Sequence, residues 1–137
     1  MDLLPIVASV ALAEGTLLAT QVSASSPTGN LIAAASTSTT GQNIVGILAE
    51  PIASTDADYA TAGKLKMVYV PISKYSQAFF TVTSGTFTLA QVGRVCQIAG
   101  SGTGLAVATN GLGAVIDGFI SSTRGTCKFA VPYVVTA

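Results

Sequence analysis

The side chains able to do chemistry are few and scattered. Two cysteines, Cys96 and Cys127, six carboxylates and six basic residues stand in a chain of 137 that holds no histidine and no tryptophan. Without imidazole, the usual general base of hydrolytic triads and the commonest metal ligand are both missing. Asp56 and Asp58, in Thr55-Asp56-Ala57-Asp58-Tyr59, have the alternate spacing of a calcium loop, but the further ligands and terminal glutamate of such a loop are absent. The pair reads as a turn or cap that bonds nearby backbone amides. Gly100-Ser101-Gly102-Thr103-Gly104 has neither Rossmann nor P-loop spacing and no good helix after it, so it reads as a hairpin connection rather than a phosphate cradle. Gly63-Lys64 lacks the rest of a P-loop. No nucleophile, base and orienting group can be assembled from these residues, so the expectation is a protein that is not an enzyme and takes no cofactor or metal.

The cysteines lie in matching surroundings, Cys96-Gln97-Ile98-Ala99 and Cys127-Lys128-Phe129-Ala130. Strand alternation puts Cys96 with Ile98 and Cys127 with Phe129, each pair on an apolar face, so the two thiols could be neighbours in one sheet. A disulfide there would close about 30 residues and stabilise by roughly 3–4 kcal/mol. Assembly in a reducing cytoplasm favours the other reading, two free buried thiols forming a core pair.

Charge is the scarcest commodity. A compact chain of this size exposes about 6,600 Å², or about 550 Å² for each charged side chain. Soluble surfaces run at about 25–35% charged residues, whereas this whole chain is 9% charged and 50% hydrophobic. Such an exterior is expected to meet other protein rather than water. The net charge is zero and Lys64, Lys66, Lys74, Arg94, Arg124 and Lys128 are dispersed, which gives no footprint for direct nucleic-acid binding. No apolar run is long enough to span a membrane as a helix. Lys64, Lys66, Asp56 and Asp58 gather at one loop and strand start; that charged middle is expected to face solvent, with the neutral Met1 to Ala13 and Gln97 to Asn110 facing neighbours.

Short apolar runs separated by Gly, Ser, Thr, Asn or Pro predict many short strands. They fall at Thr16 to Val22, Leu31 to Ala35, Ile44 to Glu50, Leu65 to Ile72, Ala78 to Thr83, Arg94 to Ile98, Leu105 to Ala108, Ala114 to Ile120 and Cys127 to Val135. Turns are expected at Pro27-Thr28-Gly29-Asn30, Thr40-Gly41-Gln42-Asn43, Ala62-Gly63 and Asn110-Gly111. Phe79 to Thr83, then Ser84-Gly85, then Thr86 to Leu89 has the pattern of a tight hairpin with Val82 opposite Phe87 and Phe80 opposite Leu89. Thr88-Leu89-Ala90-Gln91 alternatively opens one helical turn through a capping box, closed at Gly93. Leu3 to Ala13 is apolar, but the start before it, Met1-Asp2, is acidic rather than basic, which favours an uncleaved arm or first strand over a secretory leader. Pro5, Ile6 and Val7 weaken a helix there. The expected fold is therefore all-β or mostly β, a compact small barrel or sandwich of short antiparallel strands with an extended N-terminal arm. Residues 1–13 form the arm or first strand, and 14–137 form one β-rich domain. Barrel, sandwich and two small sheets all remain open, because alternation fixes faces and not neighbours.

Asn43-Ile44-Val45-Gly46-Ile47-Leu48-Ala49-Glu50, then Asp56-Ala57-Asp58-Tyr59-Ala60, then Ala62-Gly63-Lys64-Leu65-Lys66-Met67-Val68-Tyr69-Val70, preceded by Glu14-Gly15-Thr16-Leu17-Leu18-Ala19, resembles the head decoration, or cement, proteins of tailed bacteriophages. The resemblance covers Ala13 to Ile72 and rests on glycine placement and strand rhythm. It implies a β-rich structural virion protein on the outer surface of the capsid, assembled in the host cytoplasm. It implies a homotrimer at three-fold and quasi-three-fold positions that bridges subunits of the major capsid protein. The family's extended terminal arm would here be Asp2, Leu3, Leu4, Pro5, Ile6 and Val7. Another phage or surface structural subunit, or a host glycan or receptor recognition module, would share the same sparse surface.

Overall fold

The structure, a computed structural model, describes residues 1–23, 26–34, 44–71, 76–98, 102–110 and 114–128. Among these residues, ten strands form two closed five-stranded barrels, one after the other along the chain. The first is built from β1 (Asp2–Ile6), β2 (Leu17–Ser23), β3 (Ser26–Ala33), β4 (Ile44–Leu48) and β5 (Lys64–Tyr69), and the second from β6 (Gln77–Ser84), β7 (Val95–Ile98), β8 (Leu105–Asn110), β9 (Ala114–Ser121) and β10 (Arg124–Lys128). The protein is thus mostly β, as its rhythm of apolar runs and turn residues predicts. Closure also satisfies the backbone groups that an open sheet would leave along its edges.

The two barrels share one topology. The first ring runs β1-β3-β2-β4-β5 and back to β1, and the second, read from its own first strand, runs β6-β8-β7-β9-β10. In both rings the first and third strands pair parallel, Ile6 opposite Leu31 and Val82 opposite Leu105, and the remaining pairs are antiparallel. The approach to the second strand is also repeated. Gly15 donates its N–H to the Leu48 carbonyl at 2.8 Å, and Leu48 donates back to Thr16 at 2.9 Å. Gly93 donates to Ile116 at 2.7 Å, and Ile116 back to Arg94 at 3.0 Å. Both glycines sit at positive φ, 84° and 91°, where a side chain would be strained.

Leu18, Ile6, Leu31, Leu48 and Val68 fill the first barrel, with Leu12 and Ile52 joined by a bridge outside the wall strands. Phe80, Phe87, Cys96, Val107, Ile116 and Cys127 fill the second. β2 belongs to both cores: Leu18 points into the first barrel while Leu17 and Ala19, on its other face, join the second core together with Ala34. Gly102, before β8, sits on this seam. A Cβ at Gly102 would collide with the Leu17 carbonyl oxygen.

Several expectations are corrected. Of the two readings of the N-terminus, arm or first strand, residues 2–6 take the second, a wall strand paired to β5 from Asp2 opposite Val68 to Ile6 opposite Lys64. Phe79 to Leu89 is not a hairpin: β6 pairs with β10 and β8, and the chain leaves it at Gly85 to bury Phe87 in the core. The alternative helical turn forms instead, a single 3-10 turn at Leu89–Gln91, with Gln91 Oε1 accepting from the Thr88 N–H and hydroxyl at 2.7 Å each. Pro27 to Asn30 lies within β3, where Gly29 at φ 86° accompanies a register shift against β2. The turn expected at residues 40–43, and residues 129–135 of the last expected strand, lie outside the described residues.

Lys64 is the sharpest correction. It does not face solvent but is 4% exposed, its ammonium donating to the Val7 carbonyl at 2.9 Å and the Tyr59 carbonyl at 2.8 Å. The charge also lies 5.5 Å from the centre of the Tyr59 ring. Ser9 donates to the same Tyr59 carbonyl and Gly63 to the Ile6 carbonyl, so β1, β5 and the long connection between β4 and β5 are tied at one point. Beside it, Lys66 pairs with Asp58 at 3.2 Å. Hydrogen bonds to charged groups contribute about 1.5–3 kcal/mol, so Lys64→Met should lower unfolding stability by about 2 kcal/mol in urea titration. An unchanged midpoint would show that this tie does not hold the barrel closed.

Candidate functional site

The wall formed by β1 and β5 carries apolar side chains on both faces. Leu4 and Ile6 point inward, whereas Leu3 lies opposite Met67 and Pro5 opposite Leu65 on the outer face, with Tyr69 two residues further along. Leu3 is 60%, Leu65 57% and Tyr69 52% exposed. An antiparallel wall with water on one side is normally polar on that side. β2 supplies the comparison within this chain, since its own outward apolar face is covered by the second barrel. An acidic group borders the β1–β5 face: Glu50 Oε1 accepts from the Met67 N–H at 3.2 Å.

A second face lies on the other barrel. Phe79 of β6 is 66% exposed and Ile120 of β9 52%. Arg124, on the strand between them, holds its guanidinium carbon 4.9 Å from the centre of the Phe79 ring. Next to Phe79 a cleft of about 250 Å³ opens between the barrels, lined by Glu14, Leu17 and Ile47 on one side and by Phe79, Thr81 and Thr103 on the other.

Of the residues assigned to a capsid-contacting arm, Ile6 is core, Leu4, Pro5 and Val7 are half-buried, and Asp2 and Leu3 are exposed. Sequence reasoning missed Leu65, Met67, Tyr69, Phe79 and Arg124 as surface elements. The signal was present in Leu65-x-Met67-x-Tyr69, an alternating apolar set whose direction was inverted once Lys64 and Lys66 were assumed to point outward. Asp56 acts as the expected local cap, its Oδ2 accepting from the Ala53 N–H at 3.0 Å. Among the described residues no group of three His, Cys, Asp or Glu could hold a metal ion.

The carboxylate of Asp117 stitches the second barrel together from outside. Thr126 Oγ1 donates to its Oδ1 at 2.7 Å, Gln77 donates to its Oδ2, and Lys128 lies 3.5 Å away. Partial burial works to raise its pKa, but the hydrogen bonds from Gln77, Thr126 and Lys128 outweigh that and hold the carboxyl below its ordinary range. Asp117 therefore joins β6, β9 and β10 as a fixed anion.

Cys96 and Cys127 are both free and buried in the second core, on β7 and β10 with β9 between them in the ring. They share one sheet without being adjacent in it. Cys96 directs its Sγ toward the Val107 carbonyl at 3.8 Å. Burial pushes its pKa up, partly offset by Arg94. Burial, and then the negative charges of Asp117 and Cys96, push Cys127 up to about 12. Both shifts oppose thiolate formation, the reverse of an activated nucleophile.

Comparison with protein-family models, with curated proteins and with solved structures yields no match.

In the native protein near neutral pH neither Cys96 nor Cys127 should react with Ellman's reagent, and both should react once the chain is unfolded. The pH dependence has a defined sign. The fold keeps Cys127 protonated where the unfolded chain would ionise it, so its contribution to stability is intact below the ordinary thiol value of 9.0 and is lost as pH rises toward about 12. Cys127→Val should flatten that alkaline loss in unfolding titrations; a slope unchanged by the substitution would contradict the assignment.

Proposed function

We propose that this chain is a structural virion protein that decorates the outside of a phage capsid. In this reading it stabilises the shell by bridging subunits of the major capsid protein, as a trimer at three-fold and quasi-three-fold positions. The observation that carries the reading is the pair of outward apolar faces, Leu3, Leu65, Met67 and Tyr69 on one barrel and Phe79 with Ile120 on the other, in a chain with only twelve charged residues. Surfaces of this kind mark protein contacts. Burying apolar area contributes about 25 cal/mol per Å², whereas desolvating an unpaired charge is costly. The glycine placement and strand rhythm of Ala13 to Ile72 supply the virion context. Leu4 and Ile6 serve the interior, so β1 would offer a neighbour its exposed start, Asp2 and Leu3, and its outer face.

One observation favours a second reading, recognition of a host glycan. The exposed Phe79 ring borders a cleft that also presents Glu14, Thr81 and Thr103, an aromatic surface with polar groups beside it.

Co-sedimentation separates the two. The purified chain should pellet with expanded capsids, leave unexpanded capsids undecorated, and raise the temperature at which expanded capsids release their DNA. Failure to bind either capsid form would overturn the decoration reading. Saturable binding to a glycan array in that case would establish the second.

A further inference from the structure

The geometry points to head-to-tail self-association, in which the β1–β5 face of one copy covers the Phe79–Arg124–Ile120 face of a second copy. This rests on the reading of the chain as an assembly subunit and assigns the surfaces involved. Each face is a sheet exterior that carries exposed apolar side chains where water would favour polar ones. Their borders have opposite charge: Glu50 flanks the first face, and Arg124 lies within the second. Among the described residues neither of these two makes an ion pair. A second copy therefore brings both an apolar match and a charge match, and pairing like faces would instead oppose acid to acid and Arg124 to Arg124.

The chain already buries one outward barrel face in this way. Leu17 and Ala19 of β2 lie on the outside of the first barrel and complete the core of the second. β1 is paired to β5 along its whole length and to β3 at Ile6, and the contact uses the outward side chains of the β1–β5 wall. Contacts between two different faces are heterologous, and they close into rings or continue as open chains rather than stopping at a dimer.

Sedimentation equilibrium at low ionic strength tests the inference on the full chain. The parent should self-associate, and Met67→Lys and Phe79→Lys should each weaken that association by about tenfold or more, as expected for loss of a central apolar contact. Both positions point outward, and unchanged thermal unfolding by circular dichroism confirms that the variants fold; Leu65→Lys replaces Met67→Lys if that variant is unstable. The decisive arm mixes the two disabled variants. Each retains one intact face, so the mixture should form a one-to-one pair and nothing larger. Arg124→Glu should weaken association, and adding Glu50→Arg in the same chain should restore it. A parent that stays monomeric at every concentration, or a mixture in which the variants remain monomers, overturns the inference. A strictly monomeric parent that still decorates expanded capsids overturns self-association and leaves the proposed function standing; association without capsid binding does the reverse.

Discussion

One strand is asked to be interior twice. β2 presents Leu18 to the first barrel and Leu17 and Ala19 to the second, so a stretch of three residues is buried on both faces. Fully burying a leucine is worth about 1.5–3 kcal/mol, and here that gain is shared between two cores whose walls are otherwise separate. Much else in the chain accommodates this arrangement. Gly102 comes so close to the Leu17 backbone that a Cβ there would not fit, and Ala34, just after β3, donates to the Leu17 carbonyl at 2.8 Å.

The repeated ring order gives that seam its context. Two barrels of the same topology, each entering its second strand through a positive-φ glycine bonded to the fourth strand, differ chiefly in their connections. In the first, the connection from β4 to β5 is long and is fastened over the barrel by Lys64 on the Tyr59 and Val7 carbonyls and by Asp58 on Lys66. In the second, β9 and β10 are joined by a tight turn, and the fastening is the Asp117 carboxylate on the outer surface. Charge is spent on closing barrels rather than on wetting the exterior. This gives the scarcity of charge a structural meaning, since five of the six basic residues lie in described ties or stacked contacts: Lys64, Lys66, Arg94, Lys128 and Arg124.

The strands were largely legible in the sequence because each is a short apolar run bounded by residues that favour turns. The positions of β2, β4, β6, β7, β8 and β9 follow from that rhythm within a few residues. Ring closure and the two parallel pairs were not legible, since alternation assigns a side chain to a face and leaves its neighbouring strand undetermined. The phase of β5 was misread for a physical reason. Lysines were assigned to water, but the carbonyls of Val7 and Tyr59 give Lys64 an interior alternative, and this turns Leu65, Met67 and Tyr69 outward. Phe87 was misplaced because Thr86 to Leu89 alternates like a strand, whereas burial of its ring beside Phe80, 5.3 Å between centroids, outweighs local propensity. The repeated topology has one counterpart in the sequence, Glu14-Gly15-Thr16-Leu17 against Val92-Gly93-Arg94-Val95, set among connections of different length.

If β2 is a member of both cores, the barrels cannot open independently. Hydrogen–deuterium exchange on Leu17→Ala in mild urea, followed separately in peptides covering β5 and β10, is the most direct measurement. The truncation removes about 2–5 kcal/mol of buried contact. Loss of protection in both peptides at the same urea concentration is the predicted result. Opening of one barrel while the other keeps its parental protection would contradict the shared strand and reduce the protein to two barrels that happen to touch.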